Sequence, residues 1–374
     1  MTRPKTYQTP AGFKVALEDR LKKRASLRGT VVNRVRQRFV MERFLARVAH
    51  TFGPTVTLKG GLALELRLAN ARSTKDIDLR TVGDPEAVLG KLRAAAALDL
   101  GDHLAFTVDP DREHPTIEDT VYEGKRFRAV AKLAGQVYGS LFGVDVAVGD
   151  PMHGPSDELT GDDFLDFVGV EPARIAAYPV ETHIAEKLHA YTRPSARAGR
   201  ENSRVRDLPD LALLASTRSF DGVGLRAALA TTFAFRATHA VPAFVPPPPP
   251  SWLAPYGVLA EEHALPWRTL EEARAAVAAF LDPLLGGHDG VWDPARWRWS
   301  PRASDRRMVS MLGASQGLPP AIIKTRGFPL GKYVCRGRHI RRVLLASRFL
   351  ATHFQRFSPQ LPTRAEFQVP LLAL

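Results

Sequence analysis

The stretch TLKGGLALELRLANARSTKDIDLRT, residues 57–81, sets a pair of glycines and a pair of aspartates close together. Gly60 and Gly61 follow Lys59, and Arg72, Ser73 and Thr74 lead into Asp76 and Asp78. The alternation in TVTL (55–58) reads as a short strand running into the glycines. GLALELRLANA, rich in Ala and Leu, reads as a short helix, and DIDLRT as the next strand. Strand side chains repeat every two residues, so Asp76 and Asp78 share one face. Paired carboxylates supply the hard oxygens that Mg²⁺ takes together with water and substrate phosphates. A glycine turn at the start of a helix offers backbone N–H groups to a triphosphate. The pattern points to metal-assisted phosphoryl or nucleotidyl transfer.

A two-metal arrangement needs a third carboxylate. LFGVDVAVGD (141–150) provides Asp145 in the middle of an apolar strand, where a charge is costly without a partner. Asp150 falls after that strand and reads as a turn residue. HLAFTVD and FRAVAKLAGQVYG are further β patterns, and Pro85 opens a helix running to about Ala97. Beyond Gly149 the periodicity turns helical, in VETHIAEKLHAYTR (180–193), SRVRDLPDLALLAS (203–216) and GLRAALATTFAFRAT (224–238). VPPPPPSW (245–252) reads as a stiff polyproline connector, and Thr269 with Glu272 as a capping box opening another helix. GHDGVWDPARWRW has the look of a folded unit's end, and no internal repeat is visible.

In the first of those helices Ile184, Leu188 and Tyr191 pack inward and leave Lys187 to project toward a cleft. A lysine there can neutralise charge building on a triphosphate. Asp207 and Asp210, three apart, share a helix face and can orient Lys187 or a substrate hydroxyl; the same residues also fit a surface ion-pair network. His183 and His189 read as ordinary helix residues without a metal.

Charge divides unevenly along the chain. The net +13 over 374 residues comes from +10 in residues 1–50 and +11 in residues 300–374, around an acidic middle. A basic surface is the usual footprint of a nucleic-acid partner, although it also fits a merely solvated one. The helix pattern at 30–50 carries Arg34, Arg36, Arg38, Arg43 and Arg47 between apolar positions, and its cationic face is the expected RNA contact. The weakly periodic segment after Ser300 reads as a basic extension, either an RNA-binding tail or an accessory helical piece. No apolar run approaches the ~20 residues of a membrane helix, the N-terminus lacks the apolar core of a secretory signal, and the single cysteine, Cys335, excludes a disulfide framework. A cytoplasmic location is expected.

Three stretches, KGGLALELRLANARSTKDIDL, FGVDVAVGD and EKLHAYTRPSARAGRENSRVRDLPDL, resemble consecutive motifs of the AbiEii/AbiGii-type nucleotidyltransferase toxins, which include the MenT toxins of the polymerase β-like superfamily. The likeness runs from about residue 30 to residue 299. It implies an α+β, bilobed nucleotidyltransferase fold with an N-terminal mixed-sheet lobe (1–150), a C-terminal helical lobe (151–299) and the extension (300–374). It further implies Mg²⁺ (or Mn²⁺) dependence and transfer of a nucleotide from an NTP, in studied members to the 3′ acceptor end of tRNA, with a block of translation. A cognate antitoxin is the implied protein partner, with a monomer when unbound. Carried over, Asp76, Asp78 and Asp145 are metal carboxylates; Lys59, Gly60, Gly61, Arg72, Ser73, Thr74 and Lys187 face the nucleotide; Asp207 and Asp210 complete the catalytic set. Transfer to a protein or small-molecule hydroxyl is the alternative within enzymes, and a non-catalytic nucleotide- or RNA-binding regulator the alternative outside them. The intact carboxylate set speaks against the latter.

Overall fold

The computed structural model describes residues 6–68, 71–117, 123–194 and 201–302. The extension beyond residue 302, Cys335 included, lies outside the described residues.

Two helices lead the chain, α1 (Pro10–Leu27) and α2 (Val32–Phe52). Thr9 caps α1 by accepting the Gly12 N–H, and Phe13, Leu17, Leu21 and Ala25, four apart, form its buried stripe. There follow β1 (Val56–Lys59), α3 (Gly60–Arg67), β2 (Asp76–Thr81), α4 (Ala87–Ala97), β3 (Leu104–Pro110), β4 (Glu123–Leu133), β5 (Gln136–Val137), β6 (Phe142–Val148), β7 (Asp157–Thr160) and β8 (Arg174–Ala177). Among the described residues these strands form one mixed sheet, ordered β3-β4-β6-β2-β1-β8-β7, with β5 folded back on β4. The β2–β6 and β1–β8 pairs are parallel and the others antiparallel. One face of the sheet, with Leu58, Ile77, Leu79, Phe127, Ala129, Val144 and Val146, closes against α1, α2 and α4 in a single core.

The helical part comprises α5 (Val180–Thr192), α6 (Asp207–Ala215), β9 (Phe220–Asp221), α7 (Gly222–Arg236), α8 (Leu253–Glu262), α9 (Leu270–Leu285), β10 (Val291–Asp293) and β11 (Arg298–Ser300). It has a second core of its own, centred on Leu211, Leu214, Phe280 and Trp292. Thr269 and Glu272 form the expected capping box on α9. The proline-rich connector is bound rather than free: Val245 N–H donates to Asp282 at 2.7 Å and Tyr191 Oη to the Pro246 carbonyl at 2.6 Å. Trp292, wholly buried, donates its indole N–H to the Ala215 carbonyl at the end of α6, 2.8 Å away. No described helix is long and apolar enough to cross a membrane.

The cationic face expected on residues 30–50 is not there. Arg43 and Arg47 are buried and both grip Asp102: Arg43 Nε at 2.7 Å, Arg47 Nη1 at 2.8 Å and Nη2 at 2.7 Å. Arg36 forms a fork with Glu18, Arg38 binds Glu42, and Arg34 meets Glu262. Most of the acidic partners, Glu18, Asp102 and Glu262, lie far off in sequence, so helical spacing alone presents a cationic face; Glu42, four residues from Arg38, is the local exception. Burial alone would raise the Asp102 pKa, but the Arg47 and Arg43 guanidiniums hold it below the ordinary carboxylate value. Asp102→Ala leaves two buried cations uncompensated and is expected to cost about 3–5 kcal/mol, against about 0–1 kcal/mol for breaking the half-exposed pair with Arg34→Ala. Urea unfolding of the two variants side by side checks the contrast.

Candidate active site

The second face of the sheet carries the polar residues. Register aligns four of them in one row across neighbouring strands: Lys59 on β1 stands opposite Asp78 on β2, Asp78 beside Asp145 on β6, and Asp145 opposite Arg126 on β4. The row therefore runs cation, anion, anion, cation. Asp76, two residues before Asp78, lies next to Gly143, where a Cβ would come within 2.5 Å of Asp76 Oδ1. The sequence places the carboxylates here because alternation sends Ile77 and Leu79 into the core and Asp76, Asp78 and Arg80 out.

The glycine turn sits directly on this row. Gly60 has φ +64°, a left-handed conformation that L side chains rarely adopt, and a Cβ on it would lie 2.0 Å from Asp78 Oδ2. A Cβ on Gly61 would meet Thr74 Oγ1 at 2.9 Å. The glycines thus let the N-terminus of α3 close down on Asp78 and on the Thr74 approach, whose N–H is held by Glu65 at 3.2 Å. Ser73 is half-buried beside it. Gly60→Ala is expected to push the Asp78 carboxylate out of place and lower activity by about 10²-fold, the scale of an ångström misplacement. Gly90→Ala, where nothing lies within 4 Å of the added Cβ, is the control and should stabilise α4 by about 0.5–1 kcal/mol. Initial rates and melting curves of the two variants distinguish them.

On the helical side Lys187 donates to Asp207 at 2.7 Å and to Asp210 at 2.8 Å. Arg72, reaching from the loop before β2, forms a two-pronged bond with Asp210 at 3.0 and 2.8 Å. Burial opposes the Lys187 charge, but Asp207 and Asp210 together raise its pKa above the ordinary lysine value. Asp210 stays ionised against its burial through Lys187 and Arg72. Asp207 Oδ2, also buried, has no hydrogen-bond partner. One oxygen of this carboxylate is committed to Lys187, and the other is a buried acceptor without a partner among the described residues.

A second cluster ties Lys59 to the helical layer. Its Nζ donates to Asp150 at 2.5 Å and to Glu186 on α5 at 2.9 Å. Arg236 of α7 also binds Glu186, at 2.5 Å, and Tyr178 Oη donates to Asp150 at 3.0 Å. Burial pushes Asp150 up, whereas Glu186, despite burial, is held down at about 2 by Lys59 and Arg236. The structure thus joins Lys59 and Arg72 to carboxylates from the helical part as well as placing them at the edge of the row. His183 is wholly buried, and burial drives its pKa well below the usual histidine range. The His189 ring lies tilted against His239, 4.7 Å between centroids, and its Nε2 shares a hydrogen bond with Thr238 Oγ1 at 2.8 Å.

Asp145 has found the partner its apolar strand demanded: Arg126 binds it with two prongs at 2.8 and 2.9 Å. Asp78 has no such partner, and burial, then the neighbouring Asp145 charge, push its pKa to about 6 against the pull of Lys59 and Lys187. Among the described residues no three acidic, His or Cys side chains already converge as a complete metal-ligand group. Yet the donor chemistry fits Mg²⁺, which takes one or two carboxylates and leaves the rest of its shell to water and phosphate. Asp78, crowded by like charge beneath a glycine, is the carboxylate that most needs a cation.

Glu186, Tyr178, Arg236 and Arg126 carry roles that the sequence did not point to. Asp150 does follow its strand, as read, but its turn is buried under α5. Arg126 carried a signal, being two residues from Arg128 in a strand whose alternate positions are apolar.

The sequence profile described as nucleotidyl transferase AbiEii toxin, type IV TA system, matches residues 43–299. No curated relative matches the chain. Among solved structures the fold is similar to MenT4, a nucleotidyltransferase toxin of Mycobacterium tuberculosis H37Rv, at 17% identity and TM-score 0.49 over 80% of this chain and 98% of that one. It is also similar to JHP933 of Helicobacter pylori, at 13% identity and TM-score 0.38 over 75% and 98% of the respective chains.

Proposed function

The chain belongs to the AbiEii nucleotidyltransferase toxin family, and from that premise we propose that it transfers nucleotides from an NTP to the 3′ acceptor end of tRNA in an Mg²⁺-dependent reaction, blocking translation until a cognate antitoxin binds it. The observation that carries the reading is the cation–anion–anion–cation row, roofed by Gly60 and flanked by Lys187. Asp76, Asp78 and Asp145 would hold the metal, with Arg126 yielding its share of Asp145. The metal supplies charge neutralisation at the phosphates.

The chain's own groups do the rest. The N–H groups at the start of α3 receive the triphosphate. Lys187, kept charged by Asp207 and Asp210, faces the charge that builds as pyrophosphate leaves. The unpartnered Asp207 oxygen accepts from a ribose hydroxyl. In the transfer itself the acceptor hydroxyl oxygen bonds to the α-phosphorus, the bond to the bridging oxygen breaks, and pyrophosphate departs with that electron pair. The hydroxyl proton passes to a carboxylate of the row.

The test is to incubate the purified full chain with total tRNA, Mg²⁺ and each labelled NTP in turn. Label is expected in the tRNA band with at least one NTP and to vanish with EDTA. Label that appears in protein or small-molecule fractions, and in no RNA, would replace tRNA with another acceptor. No transfer from any NTP would overturn the enzymatic reading.

A further inference from the structure

The row of charges has an open end. On the side of β1 the sheet's polar face is covered by α5 and α6 through Lys59, Arg72 and Lys187. On the side of β4 the described residues leave it open beyond Gly124, whose outer side Ile117 covers. There Arg126, Arg128, Val130 and Lys132 follow one another along the outer face of β4, while Phe127, Ala129, Ala131 and Leu133 turn to the core. Beside them β3 shows Ala105, Thr107 and Asp109, paired in register with Lys132, Val130 and Arg128. Ala105, Thr107, Arg128 and Lys132 are exposed.

We propose that this open face is the track for the acceptor, and that it takes the single-stranded 3′ end of a nucleic acid by its phosphates. The inference rests on the transfer reaction proposed above and adds where the second substrate lies. Three observations carry it. The first is direction. Attacking and leaving oxygens stand roughly in line in phosphoryl transfer, so a triphosphate held on the α3–α5–α6 side requires the acceptor hydroxyl to come from the opposite side of the carboxylates, which is β4.

The second is spacing. Alternate residues on a strand are about 6.8 Å apart, so Arg126 and Arg128 stand one phosphate step apart along an extended strand, and Lys132 two steps further on past Val130. The third is relief. Ala105, Thr107 and Gly143 keep the face low, and among the described residues no aromatic side chain stands on it, so the contact is with backbone rather than with stacked bases. Arg126 marks the inner end of the track. Arg126 is bonded to Asp145 here, and would be free for the terminal phosphate of the acceptor if Asp145 held a cation instead. Arg128 is braced by Asp111, which also accepts the Glu113 and His114 N–H groups and so keeps partners if the arginine is removed.

The test compares wild type with the double variant Arg128→Gln/Lys132→Gln, and separately with Thr107→Glu, which adds repulsion without removing any bond. Binding of a labelled single-stranded RNA is measured against salt, with Mg²⁺·NTP binding measured in parallel. The double variant should bind the RNA at least about tenfold more weakly, and its log–log salt slope should fall by about 1.4, or 0.7 per lost phosphate contact. Thr107→Glu should weaken RNA binding too, and neither variant should alter Mg²⁺·NTP binding. RNA affinity and slope that match wild type in both folded variants would overturn the track. So would equal losses on a blunt duplex and on a single strand. Because binding is read without turnover, failure of the transfer reaction is visible separately, as absent label in wild type.

Discussion

Asp78→Asn should abolish transfer and, in metal-free protein, make the fold more stable. The loss of activity is expected to exceed about 10³-fold, since the carboxylate that most needs a cation can no longer hold one. The gain in stability follows from the raised pKa. With a folded value of about 6 against an ordinary value near 3.8, the native state favours the protonated carboxyl. That preference stabilises the fold fully below the ordinary value and is lost as pH rises through about 6. At pH 7 the ionised group therefore costs the metal-free protein something of order 1–3 kcal/mol, and asparagine removes the cost. Melting temperatures of wild type and variant should approach each other near pH 4 and separate above pH 6, with the variant higher. Saturating Mg²⁺ should close the gap from the wild-type side only. A variant less stable than wild type at pH 7 would show that Asp78 is structurally compensated and not waiting for a cation.

Lys187→Ala should lower turnover by about 10²–10⁴-fold, the range of a lost electrostatic partner in a transition state. It should also destabilise, because Asp207 loses its cation and Asp210 keeps only Arg72. The two effects can be separated. Adding Asp207→Asn to Lys187→Ala removes an uncompensated charge and should recover part of the stability while recovering no activity. Lys187→Arg should restore part of the rate, since a planar fork can pair with the two aspartates but reaches the phosphates differently. Stability and rate recovering together in the double variant would reduce Lys187 to a structural role.

What the sequence disclosed about this site was short-range. Strand alternation was enough to put Asp76 and Asp78 on one face, and helix periodicity to put Asp207 and Asp210 on one face. The mixed-sheet lobe and the helices after residue 180 followed from the same periodicities. What it concealed was long-range pairing. Arg43 and Arg47 looked like a cationic surface because nothing local marks Asp102 as their partner. Nothing local marks Glu186, more than a hundred residues further on, as a partner of Lys59. The helix α1 was also missed, its apolar residues being masked by the lysines and arginines between them.

The indole bond from Trp292 to the last turn of α6 sets the order in which the enzyme can come alive during its own synthesis. Asp76 and Asp78 emerge from the ribosome early, but the helix bearing Asp207 and Asp210 is not pinned until Trp292 has emerged to fill the core behind it. At about 5–20 residues per second the stretch from Asp210 to Trp292 takes roughly 4–16 s. A chain interrupted in that interval carries every catalytic side chain and no working arrangement of them. Under the transfer reaction proposed above, activity would wait until Trp292 has emerged.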